Sequence, residues 1–163
     1  MPSAILIRPA EPADCDVMFS MIVALATYER AAEHVHGSSE LLEGALFGPQ
    51  PSAEALVAAI DSQPVGFAIF HGTFSTWECR PGIWLEDLFV PDEYRRAGVG
   101  SALLEKVARI ALSRGCPRLE WAALNWNTPA LRFYEQLDAR RLDEWVMHRL
   151  EGQALERVGG ASR

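Results

Sequence analysis

The segment that most limits how this chain can fold is Arg95-Arg96-Ala97-Gly98-Val99-Gly100-Ser101, which sits between two strongly patterned stretches. Before it runs IWLEDLFV, residues 83–90, apolar except for Glu86 and Asp87 and stopped by Pro91. That run reads as a buried strand. After it, Leu103, Val107, Ile110 and Ala111 share one face of a helix that Gly115 caps and Pro117 cannot continue. A strand, a glycine-bearing turn and a helix start present unpaired backbone N–H groups and the positive end of a helix dipole. Small residues there let a phosphate come close. The same glycines would also suit a tight turn that binds nothing, so the turn alone leaves both readings open. It lacks the GK[ST] of a P-loop and the GxGxxG of a dinucleotide fold, which disfavours both.

Around this centre the hydrophobic pattern predicts a mixed series. Residues 5–8 read as a short strand stopped by Pro9; Pro12 then suits a first helical turn. Met18, Met21, Ile22 and Leu25 form the stripe of a helix to about residue 30, and residues 39–47 make a second helix closed by Gly48-Pro49. Residues 55–60 and 65–70 read as strands joined by a hairpin at Asp61-Ser62-Gln63-Pro64, followed by a loop over residues 72–82. Side-chain alternation within the 83–90 strand predicts that Glu86 and Asp87 point to opposite faces. Residues 118–123 form another strand, and Thr128, with Pro129 behind it, caps a helix carrying Leu131, Phe133 and Tyr134. Residues 139–142 and 145–150 close the series as strands, and the Gly-rich tail after Gly152 is expected to fray. The order β-α-α-β-β-β-α-β-α-β-β implies an α+β domain with a mixed sheet. One domain spans residues 1–152, with a flexible tail over 153–163.

Composition narrows the partners. The 163 residues carry 15 Lys+Arg against 22 Asp+Glu, a formal charge of −7, and show no basic stripe, so a nucleic-acid partner is not expected. Cys15, Cys79 and Cys116 are odd in number and lack CxxC spacing, which suits a reducing cytoplasm better than a disulfide or zinc framework. The opening MPSAILIRPAEP has no basic n-region, and no apolar run nears the ~18 residues of a membrane span. His34, His36, His71 and His148 are scattered, and no metal is expected.

At R-x-x-G-x-G after a strand the chain resembles the GNAT superfamily of N-acetyltransferases, and the likeness extends along the chain. IRPAEPADC near the start, LATYE at residues 25–29, WLEDLFV at 84–90, NWNTPALRFYEQLDA at 125–139 and Trp145 are similar, in order, to the diamine (spermidine/spermine and thialysine) N-acetyltransferase group. The resemblance implies one mixed, mostly antiparallel sheet of about seven strands, splayed in the middle, with about four helices. It implies direct transfer of an acetyl group from acetyl-CoA to a primary amine, without a metal or a covalent enzyme intermediate, by a homodimer.

It also implies roles. Leu88, Phe89 and Val90 would offer strand backbone to the pantetheine arm. Arg95, Arg96, Ala97, Gly98, Val99, Gly100 and Ser101 would cradle the pyrophosphate, and Asn127, Thr128, Pro129 and Ala130 would touch the cosubstrate from the other side. Tyr134 would protonate the departing thiolate and Glu86 would receive the amine, directly or through water. Tyr28, Glu29, Asp87, Glu120, Trp121 and Ala122 would line the acceptor site. The chemistry is consistent: an amine is protonated at neutral pH and must lose a proton before it attacks a thioester, so a nearby carboxylate is useful. Read from the residues alone, Tyr134 is as well a core aromatic, and Glu86 or Asp87 a solvent-facing acid.

The chain departs from the group's pattern in places. Arg96 stands where a glycine is common, Ser75 where polyamine-acting relatives carry Asp, and Asp138 where Gly is usual, and the segment before Trp145 is shorter. Ser75 and the shorter segment put polyamine specificity in doubt, while the acids favour a small cationic acceptor (a diamine, a polyamine or a lysine-like amino acid) without naming it. A protein N-terminal or lysine acetyltransferase is the alternative within the same chemistry. A non-catalytic acyl-CoA-binding module is the alternative outside it, against which the presence of both Glu86 and Tyr134 speaks.

Overall fold

Arg8, near the end of the first strand, grips Asp14 through two guanidinium nitrogens at 2.6 and 2.8 Å, and the Glu11 N–H donates to the same carboxylate at 2.8 Å. That corner sets the angle at which β1 (Leu6–Pro9) hands over to α1 (Cys15–Tyr28) in a computed structural model that describes residues 4–160. The chain forms two units, Met1–Leu124 and Asn125–Arg163.

In the first unit α2 (Ser39–Phe47), capped by Ser38, follows α1, and then come β2 (Glu54–Ile60), β3 (Gln63–Ser75) and β4 (Arg80–Phe89). After these lie α3 (Val99–Ser113) and the two-residue β5 (Leu119–Glu120). The strands lie in the order β1-β2-β3-β4-β5, antiparallel throughout except that β5 runs parallel to β4. Phe67, Ile69, Phe89 and Val57 meet Met18 and Met21 of α1 and Leu46 of α2 on one face. Alternation sends Gly66, Ala68 and Phe70 to the other, where Arg114, the C-cap of α3, lies over the Phe70 ring. With both faces covered, β3 is buried without a break from Val65 to Phe70, which is why its sequence is a continuous apolar run.

The hairpin at Asp61-Ser62 forms as the sequence predicts. Both residues have positive φ, 50° and 66°, as a two-residue turn matching the sheet's twist requires. The loop expected over residues 72–82 is mostly strand. β3 continues to Ser75 and β4 begins at Arg80, leaving a short turn in which the Ser75 hydroxyl accepts from the Glu78 N–H at 3.2 Å. The glycines suggested a break, but Gly82 marks a close approach: a Cβ there would lie 2.7 Å from the hydroxyl oxygen of Thr73, its register partner.

The expected strand over residues 118–123 shrinks to Leu119–Glu120, paired with Ile83 and Trp84. β4 carries a bulge just beyond Leu85, and a bulged strand bends, which takes it out of β5's line. The gap expected in the middle of the sheet thus opens at its edge, between β4 and β5, with Leu85 to Phe89 paired on the β3 side alone among the described residues.

In the second unit α4 (Thr128–Glu135) starts one residue earlier than expected. Asn127 is the cap, its side-chain oxygen accepting from the Ala130 N–H at 3.4 Å, and Thr128 is the first helical residue. Asp138 follows at φ 57°, the left-handed conformation that makes glycine usual there. The strands expected at residues 139–142 and 145–150 do not form, so among the described residues the sheet has five strands instead of about seven. A strand is a property of a pair, and no ladder holds these residues. Trp145, Val146 and Met147 are exposed, and the Trp145 N–H closes a turn onto the Leu142 carbonyl at 3.1 Å. The expected tail begins instead as α5 (Gly152–Val158), making five α-helices among the described residues; residues 161–163 of that tail lie outside them. Among the described residues no helix is long and apolar enough to cross a membrane.

Candidate active site

The turn that opens α3 is built to be approached. Gly98 is its N-cap at φ 85°, with no side chain capping the helix, and a Cβ there would meet nothing within 4 Å. At Gly100 a Cβ would meet only the Val90 methyl at 3.9 Å. The first N–H groups of a 15-residue helix have no partner within it. Val99, Gly100 and Ser101 therefore present donors and a dipole end at an open surface, which fits a pyrophosphate. Arg96 stands at φ 65°, explaining the glycine common there: the chain reverses in the left-handed region, and a side chain at that point is strained. Leu88, Phe89 and Val90 lead from the free edge of β4 into this turn.

The acids of β4 are where the structure corrects the sequence most. In the β3–β4 ladder Ile69 faces Asp87 and Phe70 faces Leu85, so Glu86 is the extra residue of the bulge. Asp87 opposes Ile69, a member of the cluster that meets α1. Glu86 accepts from the Trp84 indole N–H at 2.9 Å and lies 3.7 Å from the His71 imidazole, two residues along β3 from Ile69 and so on the same face. The two acids therefore share the α1 face instead of splitting across the sheet. Their difference is depth. Glu86 is exposed, whereas Asp87 is mostly buried, and burial first, then the charges of Glu86 and Glu29, push its carboxyl up to about 6. Glu29 follows the last residue of α1, and burial raises its carboxyl too.

Tyr28 ends α1 above a cleft of about 480 Å³ lined by Met21, Ala24, Tyr28, Phe89, Asp92 and Arg95. Tyr28, Glu29, Asp87 and Phe89 thus come together around the end of α1. Glu120 pairs at 2.8 Å with Arg118, the residue just before its strand, and Trp121 and Ala122 lie beyond the paired part of β5. In the second unit Asn127 caps the helix that carries Tyr134, whose ring is half-buried and tilted against Phe133 with centroids 5.3 Å apart. Thr128, Pro129 and Ala130 make the first turn of that helix. Sequence reasoning missed His71 and Trp84, the two side chains that reach Glu86. A bulge has no short sequence signature, but two acids inside an apolar strand were a hint that alternation fails there.

Comparison with known proteins agrees with this geometry. Residues 21–139 match the acetyltransferase (GNAT) family. A thialysine N-epsilon-acetyltransferase of Bos taurus is 38% identical over 167 residues, 96% of this chain and 98% of that protein. An L-ornithine N5-acetyltransferase of Arabidopsis thaliana is 39% identical over 57% of this chain and 41% of that protein. An integron cassette protein from the mobile metagenome of V. cholerae has the same fold, with a TM-score of 0.80 at 24% identity over 96% of this chain and 98% of that one. The splayed mixed sheet, the open turn before α3 and these matches together place the chain in the GNAT family of acetyltransferases.

Proposed function

We propose that this enzyme transfers an acetyl group from acetyl-CoA to a primary amine of a small acceptor that carries a second positive charge, a diamine or a lysine-like amino acid. The observation that carries the reading is the gathering of Glu29, Glu86 and Asp87 around one end of α1. In the free enzyme burial first, and then the repulsion of Glu86 and Glu29, disfavour the charged form of Asp87 and raise its carboxyl. A dication relieves both. Each charge-assisted hydrogen bond it makes contributes about 1.5–3 kcal/mol, enough to favour it over a neutral amine by roughly 10- to 100-fold. The names of the bovine and plant relatives, acting on thialysine and L-ornithine, support a short acceptor with two amino groups.

The chain's own residues divide the work. Backbone N–H groups of residues 98–101 hold the pyrophosphate, and the free edge of β4 at Leu88 to Val90 offers its backbone to the pantetheine arm. Acetyl-CoA supplies the activated thioester. Glu86 takes the ammonium group, and the proton it loses passes to the Glu86–Asp87 pair, whose raised member holds a proton more readily than an ordinary carboxylate. The neutral nitrogen attacks the thioester carbonyl, the C–S bond breaks, the Tyr134 hydroxyl gives its proton to the leaving sulfur, and the second proton, shed by the acylated nitrogen, returns through solvent to the Tyr134 oxygen. The enzyme functions as a homodimer in the cytoplasm.

Thiol release from acetyl-CoA, measured with thialysine, ornithine, putrescine, spermidine and a neutral monoamine, tests the acceptor. The dications should lead the neutral amine by at least tenfold in kcat/KM; equal rates would end the acidic-site reading. For the proton donor, Tyr134→Phe should lower kcat by about 10²-fold or more and leave acetyl-CoA affinity in place. Near-normal turnover would make Tyr134 a packing residue.

A further inference from the structure

The first arginine of the turn does not extend toward the open helix end. Arg95 Nε donates to the Val90 carbonyl at 2.9 Å, and one terminal nitrogen pairs with Asp92 at 2.6 Å. The guanidinium carbon lies 5.0 Å from the centre of the Tyr28 ring and 5.8 Å from that of Phe89. One side chain therefore closes the five-residue loop that leaves β4 and also lies against the last residue of α1. A guanidinium can do both because it is a flat fork, with donors in its plane and faces that stack on aromatic rings.

We propose that Arg95 is a positioning residue: a clasp that ties the phosphate-binding turn to Tyr28, so that one side chain anchors the turn and sets the acceptor end of α1. Its donors are directed at Val90 and Asp92, which leaves the pyrophosphate to the backbone of the turn. This rests on the acetyl-CoA and amine reading above, and it assigns Arg95 to the acceptor side of that site. The lysine ammonium has no plane to stack and no second fork arm, so Arg95→Lys would keep the charge and lose the clasp.

A cycle of Arg95→Met, Tyr28→Leu and the double variant tests it, read by calorimetric titration with acetyl-CoA and by amine KM. Arg95→Met should raise amine KM about tenfold while the acetyl-CoA Kd changes less than about threefold. The double variant should be little worse than either single one, because the two residues act through one contact. Arg95→Lys should resemble Arg95→Met, and it carries the same comparison if the methionine variant does not fold. Loss of acetyl-CoA affinity with unchanged amine KM would make Arg95 a phosphate ligand and overturn the clasp, as would strictly additive effects. Should the wild type acetylate no amine, the amine reading fails separately, and urea unfolding of the same four proteins decides. Non-additive midpoint shifts then support the clasp, and additive ones overturn it.

Discussion

Asp14 and Asp87 both sit out of full contact with water, and they are treated in opposite ways. Asp14, almost wholly buried between β1 and α1, has Arg8 across it and a backbone N–H on it, and the hydrogen bond from Arg8 holds its carboxyl below the usual range. Asp87, mostly buried where β4 bulges, has its carboxyl raised to about 6, by burial first and then by the charges of Glu86 and Glu29. A protein places a satisfied acid where it needs a rigid corner. It keeps an unsatisfied one where a ligand is to bring the missing charge.

The contrast has a sign that can be measured. The Arg8–Asp14 contribution is present above the unfolded carboxyl value and is lost as pH falls through the lowered folded one. Asp87 does the reverse. Protonated, it favours the fold below its unfolded value of 3.8, and that contribution is lost as pH rises through about 6. The pair of slopes should give a stability profile that falls off in acid and also sags from mildly acid to neutral pH.

The strongest way to break the comparison is at the corner. Arg8→Met leaves Asp14 buried without its cation and should cost about 3 kcal/mol of stability at pH 7, read by urea unfolding. A loss under about 0.5 kcal/mol would mean the pair is only a surface contact. Next in size is the opposite outcome at the site. Asp87→Asn removes a charge that the fold holds at a cost, so it should gain about 1–2 kcal/mol at pH 8 while kcat/KM for a diamine falls. Loss of stability there would show that the Asp87 charge is already satisfied. Smallest is the strained turn. Arg96→Gly relieves a left-handed residue and should add about 1 kcal/mol in the same assay, whereas a destabilised variant would mean that the arginine side chain makes a contact worth more than the strain.

Much of this was legible in the chain itself. Helix bounds at residues 39–47, the Asp61-Ser62 hairpin and the glycine-bearing turn follow from capping, turn chemistry and glycine placement, all of which are local. The left-handed residue at position 138 was legible as well, since Asp stands there where glycine is usual. What was not legible depends on partners distant in sequence. Alternation put Glu86 and Asp87 on opposite faces, and only the register against Ile69 and Phe70 shows that one extra residue brings them together. Gly82 looked like a loop residue until Thr73 was found against it. The apolar pattern around Trp145 has strand propensity, but propensity without a ladder partner does not make a strand. Arg95 read as a phosphate ligand by its place in the motif, and its contacts with Val90, Asp92 and Tyr28 belong to the folded chain alone.

The central claim is that Glu29, Glu86 and Asp87 form an acceptor site awaiting positive charge. Carbon-detected NMR of the side-chain carboxyls follows it most directly, as a pH titration of the free enzyme and again with a saturating diamine. The account predicts that the Asp87 carboxyl titrates near 6 in the free enzyme and moves down by at least one unit when the diamine binds. An Asp87 that titrates near 4 in the free enzyme, or whose titration ignores the diamine, would contradict it.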